Sequence, residues 1–265
     1  LTTVVSPQDL TAQAVAGLVQ SLRPTPPLVK IKRWELFYPE LPSDPQAAFV
    51  QIRQMYAACE RCHLADRRNR VVFLKGNPYA GVLVLGEGPG KDEDSNGTPF
   101  VGKSGRLADE LFREIGIDPE RDLAWSNIIG CRSAENMFAE DRKPSLVEAV
   151  ACSERLTLTL RAIRPSIVLC LGAVAATAFF REEETPPVNT FTTLASADGV
   201  RVIVGVLRHP AYLLRIGQQP NMYGEWAGCR LALRQLRAWL PAQKIPTWPF
   251  GLRYIADFQT AAVGA

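Results

Sequence analysis

Histidine is nearly absent from this chain: His63 and His209 are the two in 265 residues. Any chemistry that needs an imidazole has few places to reside. No apolar run approaches the roughly 20 residues that a membrane-spanning helix requires. The first residues also lack the basic segment and apolar stretch that mark secretion. These absences set the expectation of a cytoplasmic protein with no membrane partner. A dominant charge is missing too, since 30 Lys and Arg against 27 Asp and Glu leave a formal net charge of +3. Binding to nucleic acid would therefore depend on a local patch and not on the surface as a whole. There is no internal repeat and no low-complexity tract. Six cysteines without an export signal favour free thiols and metal ligation over a disulfide framework.

What is present is ordinary for a globular protein, with 47% hydrophobic and 22% charged residues. Ser6-Pro7-Gln8-Asp9 is a helix start, and the spacing predicts a helix to about residue 22. A Pro-rich linker follows over 23–27, and a second start at Ser43-Asp44-Pro45 opens a helix to about residue 58. From residue 71 the pattern alternates. Strands are predicted over 71–74, 82–85, 123–129, 167–171 and 202–206, and helices over 103–115, 145–164, 173–180 and 223–240. That alternation predicts an α/β fold, a three-layer α/β/α sandwich with a mostly parallel central sheet. The predicted organisation is an extension over 1–50, a body over 51–240 and a tail over 241–265. The tail packs on the body through Trp248-Pro249-Phe250.

The densest signal lies in residues 82–105. An apolar run ends at a loop carrying Gly86, Gly88 and Gly90, followed by Asp92-Glu93-Asp94 and Pro99-Phe100. Glycines after a strand let backbone approach a ligand closely. Acidic neighbours argue against a plain phosphate cradle, and an exposed aromatic suits a flat partner. The loop reads as a pocket for a planar, uncharged ring. Within it, residues 97–104 match the phosphate-binding pattern G-x-x-x-x-G-K-[ST], which supports a nucleotide hydrolase as a competing reading. That pattern needs a strand directly before its first glycine, and Pro99 removes one N–H from the cradle.

Cys59 and Cys62 form a C-x-x-C, and Cys152 and Cys170 lie downstream. A helix after Cys152 climbs roughly 18 Å, and an antiparallel strand returns, so Cys152 and Cys170 can approach each other. Four thiolates together suit zinc or an iron–sulfur cluster. The competing reading is that Cys152 and Cys170 are small buried hydrophobes. Cys131 and Cys229 are expected to pack, and His63 to be exposed. His209 follows the apolar run 202–207 and Asn127 lies near the end of the predicted strand 123–129, which places both with Gly86 and Phe100 at the carboxyl edge of the sheet.

These motifs together resemble the family 4 uracil-DNA glycosylases. Gly86-Glu87-Gly88-Pro89-Gly90 with Pro99-Phe100-Val101-Gly102 is similar to the family's first motif, Ser126-Asn127 with Cys131-Arg132 to its central strand, and His209-Pro210 with Leu213-Leu214-Arg215 to its second motif. The resemblance implies excision of uracil from single- or double-stranded DNA by a monomer. It implies a four-iron, four-sulfur cluster on Cys59, Cys62, Cys152 and Cys170. It implies a pocket made by Gly86 and Gly88, in which Phe100 stacks on uracil, Asn127 reads it and His209 stabilises the leaving base. Glu87 would act at the catalytic pocket, and Glu93 would help exclude thymine near C5. Tyr212, Leu213 or Leu214 would wedge into the DNA, and Arg215 would contact phosphate. A non-catalytic or altered-specificity relative is the alternative. The stretch 132–142 is longer and more acidic than the family's usual turn. A related group of glycosylases carries an insertion there with a histidine that traps DNA covalently, and no histidine occurs here between Asn127 and Cys152.

Overall fold

The computed structural model describes residues 38–196, 199–217, 223–245 and 247–252. The helix and linker expected within 7–27 lie outside the described residues. Helix α1 (Pro45–Tyr56) starts where the sequence indicates. Asp44 caps it by accepting from the Ala47 N–H at 2.8 Å, and Pro45 fills the first turn.

Among the described residues, six strands form one sheet: β1 (Lys75–Gly76), β2 (Val82–Gly86), β3 (Ala124–Asn127), β4 (Ile167–Leu171), β5 (Thr190–Ala195) and β6 (Arg201–Leu207), in the order β1-β3-β2-β4-β6-β5. The inner pairings β3-β2, β2-β4 and β4-β6 are parallel, and the edge pairings are antiparallel. The helices are α2 (Lys91–Asn96), α3 (Lys103–Glu114), α4 (Leu146–Ala151), α5 (Ser153–Ile163), α6 (Ala173–Ala176), α7 (Pro210–Ile216) and α8 (Tyr223–Ala238).

Strand residues alternate between two cores, as the pleat requires. Leu83, Leu85, Val168, Val204 and Val206 face one side with Phe49, Ile52, Leu156 and Leu160 of α1 and α5. Val82, Val84, Ile167 and Leu169 face the other with Leu111, Phe112, Leu213, Leu233 and Leu236 of α3, α7 and α8. This is the expected α/β/α layering. The central strands are buried on both faces, so they read as continuous apolar runs. No described helix is long and apolar enough to cross a membrane.

Several elements differ from expectation. Residues 71–74 are not a strand; their apolar side chains pack inward, and bonds from the Val72 N–H to Gly130 O and from Ser126 Oγ to Phe73 O hold the segment beside β3. The acidic run 92–94 begins a helix, α2, whose positive N-terminal end favours carboxylates. The predicted helix 145–164 breaks at Cys152 into α4 and α5. The Thr-rich edge strand β5 and the short helix α7 were not foreseen.

Because β3, β2, β4 and β6 run parallel, their carboxyl ends share one edge. The residues there are Asn127, Gly86, Leu171 and Leu207.

Candidate functional site

Gly86 ends β2 directly opposite Asn127 of β3. A β-carbon on Gly86 would stand 2.4 Å from Asn127 Oδ1 and 2.5 Å from Phe100 Cζ. Any side chain there would force the amide and the ring apart. Glycine therefore lets three elements close on one small space.

Phe100 holds a left-handed backbone at φ 57, which is costly for a bulky residue and persists where the surroundings enforce it. Its ring packs on Trp125 at 5.0 Å between centroids, and Trp125 Nε1 donates to Pro119 O at 2.8 Å. Helix α3 reaches the Phe100 backbone because Gly105 has no side chain; a β-carbon there would lie 2.1 Å from Phe100 O. The sequence suggested an exposed aromatic. The ring is instead only 8% exposed, a rigid platform backed by a second aromatic.

His209 caps α7, and its Nδ1 accepts from the Ala211 N–H at 3.1 Å. That bond leaves the ring proton on Nε2. Burial, helped by the Arg215 charge, pushes the imidazole down to about 4. The ring is thus a neutral donor at physiological pH. It folds over Gly172, whose φ of +89 and missing side chain make room; a β-carbon there would be 3.3 Å from His209 Cβ. Gly172 follows β4, two strands from Asn127. At about 4.8 Å per strand the gap is roughly 10 Å, wide enough for one flat ring.

Glu87 follows Gly86 at the same edge. Burial raises its carboxyl above the ordinary value, and the Lys143 charge offsets part of that rise. Arg155, which is 1% exposed, fastens the other side of the site. Its guanidinium donates to Asn127 O at 2.6 Å, Ile128 O at 3.2 Å and Ser126 Oγ at 3.5 Å, and its Nε donates to Cys152 Sγ at 3.2 Å.

Cys59, Cys62, Cys131 and Cys152 line one cavity with Leu64, Ile129 and Glu148. The Gly130 N–H also points at Cys152 Sγ, at 3.2 Å. Burial pushes the Cys131 thiol up to about 12, with a further rise from Cys152 and Cys62 and partial relief from Arg68 and Arg155. Cys170 does not join them. It sits within β4 between Leu85 and Val206, fully buried, and burial alone raises its thiol. The expected pairing of Cys152 with Cys170 fails because the strand holds Cys170 inside the sheet, whereas the chain leaving β3 carries Cys131 to Cys152. Among the described residues no group of three or more His, Cys, Asp or Glu is arranged to hold a metal ion.

The model of the uracil DNA glycosylase superfamily matches residues 73–227, a span that contains Gly86, Glu87, Phe100, Asn127 and His209 but not Cys59 and Cys62 of the cysteine cavity. The chain belongs to that superfamily. It is also 34% identical over 166 residues to a type-4 uracil-DNA glycosylase of Archaeoglobus fulgidus, covering 59% of this chain and 78% of the relative. A type-4 uracil-DNA glycosylase of Thermotoga maritima is 34% identical over 157 residues, with the same coverages. A type-4 enzyme of Saccharolobus solfataricus is 33% identical over 162 residues, covering 59% of this chain and 72% of the relative.

Within this superfamily member, some sequence-predicted residues stand apart from the pocket. Glu93 is a brace, since its carboxylate accepts from the Gly90 N–H at 3.0 Å and the Gly102 N–H at 2.8 Å. Those two bonds occupy both oxygens, so a role in facing C5 of a base does not follow from its geometry. Gly88 makes room for Ile129. Leu213 is fully buried and cannot be a wedge. Tyr212 lies under the Arg208 guanidinium at 4.9 Å, while Leu214, 45% exposed, and Arg215 face solvent. The phosphate-cradle reading also fails. Helix α2 precedes Gly97 where a strand is required, and the Gly102 N–H is taken by Glu93. Sequence reasoning missed Arg155, although an arginine three residues after a candidate ligand cysteine was a usable signal. It also set Cys131 aside.

The state of His209 gives a direct test. An NMR titration should find its midpoint near pH 4, with the Nε2–H tautomer above it. A folded pKa held below 6.5 means that this group's contribution to stability is complete above about pH 6.5 and is lost as the pH falls toward 4. A midpoint at 6.5 or higher would contradict the buried neutral donor.

Proposed function

We propose that this chain is a uracil-DNA glycosylase, which takes deoxyuridine out of the DNA stack and hydrolyses its N-glycosidic bond, leaving an abasic site. The observation that carries the reading is the meeting of Phe100 and Asn127 across Gly86, with His209 on the same sheet edge. A base must leave the helix to reach such a site.

In this reading uracil stacks on Phe100. The Asn127 amide accepts from N3–H and donates to O4. Cytosine presents the opposite donor and acceptor at those atoms and would leave a buried amide unpaired, which discriminates strongly. As the bond to the sugar lengthens, the sugar gains oxocarbenium character and negative charge grows on the base. His209 Nε2–H donates to O2, where that charge collects. Its neutrality costs nothing in proton balance, because uracil departs as an anion held by a donor and not as an acid quenched by one. Glu87 holds the attacking water and faces the cationic sugar; as the water oxygen bonds to the sugar, its proton passes by way of the Glu87 carboxylate to the departed uracil anion. Leu214 fills the space left in the stack, and Arg215 meets a phosphate.

The substrate is uracil-containing DNA, single- or double-stranded, and the pocket is complete within one chain, consistent with a monomer. A reducing compartment such as the cytoplasm suits the free thiols. The glycosylase body takes in α1, whose Ala48 and Phe49 lie in its core, so it begins by residue 45 and not at the expected 51; it runs to about 240 and is followed by a tail over 241–265, of which Trp248 packs on Phe179 at 6.2 Å.

Cys59, Cys62, Cys131 and Cys152 are the residues that would hold a four-iron, four-sulfur cluster. The donor set fits: four thiols surround one cavity, and ligands to a cluster bind different irons, so they need not converge on a point. Arginine keeps its charge in a protein interior. Among Arg155's hydrogen-bond partners, Cys152 alone can become an anion, as a ligating thiolate does. The cluster's contribution is structural, since hydrolysis of the base requires no electrons.

Two experiments test this. Wild-type protein incubated with a uracil-containing oligonucleotide should produce abasic sites, and His209→Ala should lower turnover roughly 10²–10³-fold; no abasic product from the wild type would sink the assignment. Iron analysis separates the cysteines: Cys131→Ala should lose bound iron, while Cys170→Ala should keep it. The opposite pattern would restore Cys170 as the ligand.

A further inference from the structure

Phe138 is the most exposed large hydrophobic side chain among the described residues, at 87%, and its neighbour Met137 is 54% exposed. An aromatic ring standing in water on a mobile tip would signify little. This one is held. The loop that carries it is wound around Arg132, a guanidinium only 5% exposed, which donates to Met137 O at 3.0 Å and to Ala139 O and pairs with Asp141. Asn136 Oδ1 accepts from the N–H groups of Phe138 and Ala139, both at 2.9 Å, fixing the turn at the ring itself. The Arg142 N–H closes the base of the loop on Ser133 O at 2.8 Å. A buried cation and an Asx turn thus keep an apolar ring outside the core.

The loop also sits at the rim of the pocket. Asp141 Oδ2 would be 3.1 Å from a β-carbon on Gly90, in the loop that Gly86 begins, and the Lys143 charge reaches Glu87. Two of the loop's carboxylates are already paired, Glu135 with Arg67 and Arg142, and Asp141 with Arg132, which removes much of the repulsion toward a polyanion. Lys143 on this side and Arg215 beyond His209 add positive charge at the two flanks of the site.

We propose that Phe138, with Met137 beside it, is a second DNA-contacting element, which stacks on the nucleobase next to the extruded deoxyuridine. The inference rests on the proposed glycosylase reading for the identity of the ligand. Stacking of a base on an aromatic side chain tolerates any sequence, because every base has a π-face. This places a contact on the opposite flank from Leu214 and gives the pocket a grip on both sides of the flipped nucleotide.

The test uses the full-length protein and oligonucleotides carrying a stable abasic-site analogue with 2-aminopurine as the neighbouring base. Binding should change the 2-aminopurine fluorescence. Phe138→Ala should abolish most of that change and weaken affinity roughly ten-fold or more, whereas Phe138→Trp should restore both. A ring this exposed adds little to the core, so the variants are expected to fold. If Phe138→Ala binds as tightly as the wild type with the same fluorescence, the proposal is wrong. It is equally wrong if the substitution only converts a dimer to a monomer in sedimentation, since the ring would then cover a second copy of the chain. Excision by the wild type is scored separately: its absence with an intact Phe138 effect would overturn the activity and leave the contact standing.

Discussion

The guanidinium of Arg155 ties the cysteine cavity to the carboxyl end of β3. It is enclosed, and its hydrogen bonds run to Asn127 O and Ile128 O on one side and to Cys152 Sγ on the other. No carboxylate is among these partners, so its charge is left to main-chain dipoles, the Ser126 hydroxyl and one sulfur. Burying such a charge is expensive unless its surroundings are arranged for it. The arrangement is visible in the sequence neighbours. Gly130 has no side chain where Arg155 Nε would be 3.1 Å from a β-carbon, and its N–H shares Cys152 Sγ. The cysteine cavity is thereby joined to the strand end that carries Asn127. A shift on one side is transmitted through rigid bonds to the other, and recognition of a base through an oriented amide tolerates little displacement.

The carboxylates at the site divide by what surrounds them. Glu93 and Asp94 are fasteners: the first joins Gly90 to Gly102, and the second accepts from the Asn69 and Arg70 N–H groups at 2.9 and 3.3 Å. Glu148 fastens the loop after Cys131. Burial alone would raise it, but the Arg142 guanidinium and the Ser145 N–H outweigh that and hold it down at about 2. No such donor reaches Glu87 among the described residues, and its carboxyl is shifted upward by burial. A group that is buried but not consumed by the scaffold is the one available for chemistry. The same contrast separates His209, whose Nδ1 is spent on α7 while Nε2 remains available.

Much of this was legible in the chain. Apolar runs ending in Gly86 and the Arg208-His209 pair, with a third strand predicted over 123–129, announced parallel strands and a shared carboxyl edge, because parallel strands buried on both faces carry no polar alternation. What the sequence did not reveal was contact across distance. Cys170 looked like a ligand because helix and strand lengths allowed an approach. Register then placed it between Leu85 and Val206, and Cys131 took the position beside Cys152. Helix α2 was hidden because an acidic, polar hexapeptide lacks apolar periodicity; its stability comes from Glu93 and from its position at the glycine loop. Leu213 and Leu214 are neighbours with the same composition, and only the packing of α7 decides that one is core and the other faces solvent.

The most direct measurement is a crystal structure of the protein with abasic DNA and free uracil. The account predicts the uracil ring stacked on Phe100, the Asn127 amide bonded to N3–H and O4, and His209 Nε2 within hydrogen-bond distance of O2. Uracil bound elsewhere, or a His209 side chain turned away from O2 with Nδ1 released from Ala211, would contradict it.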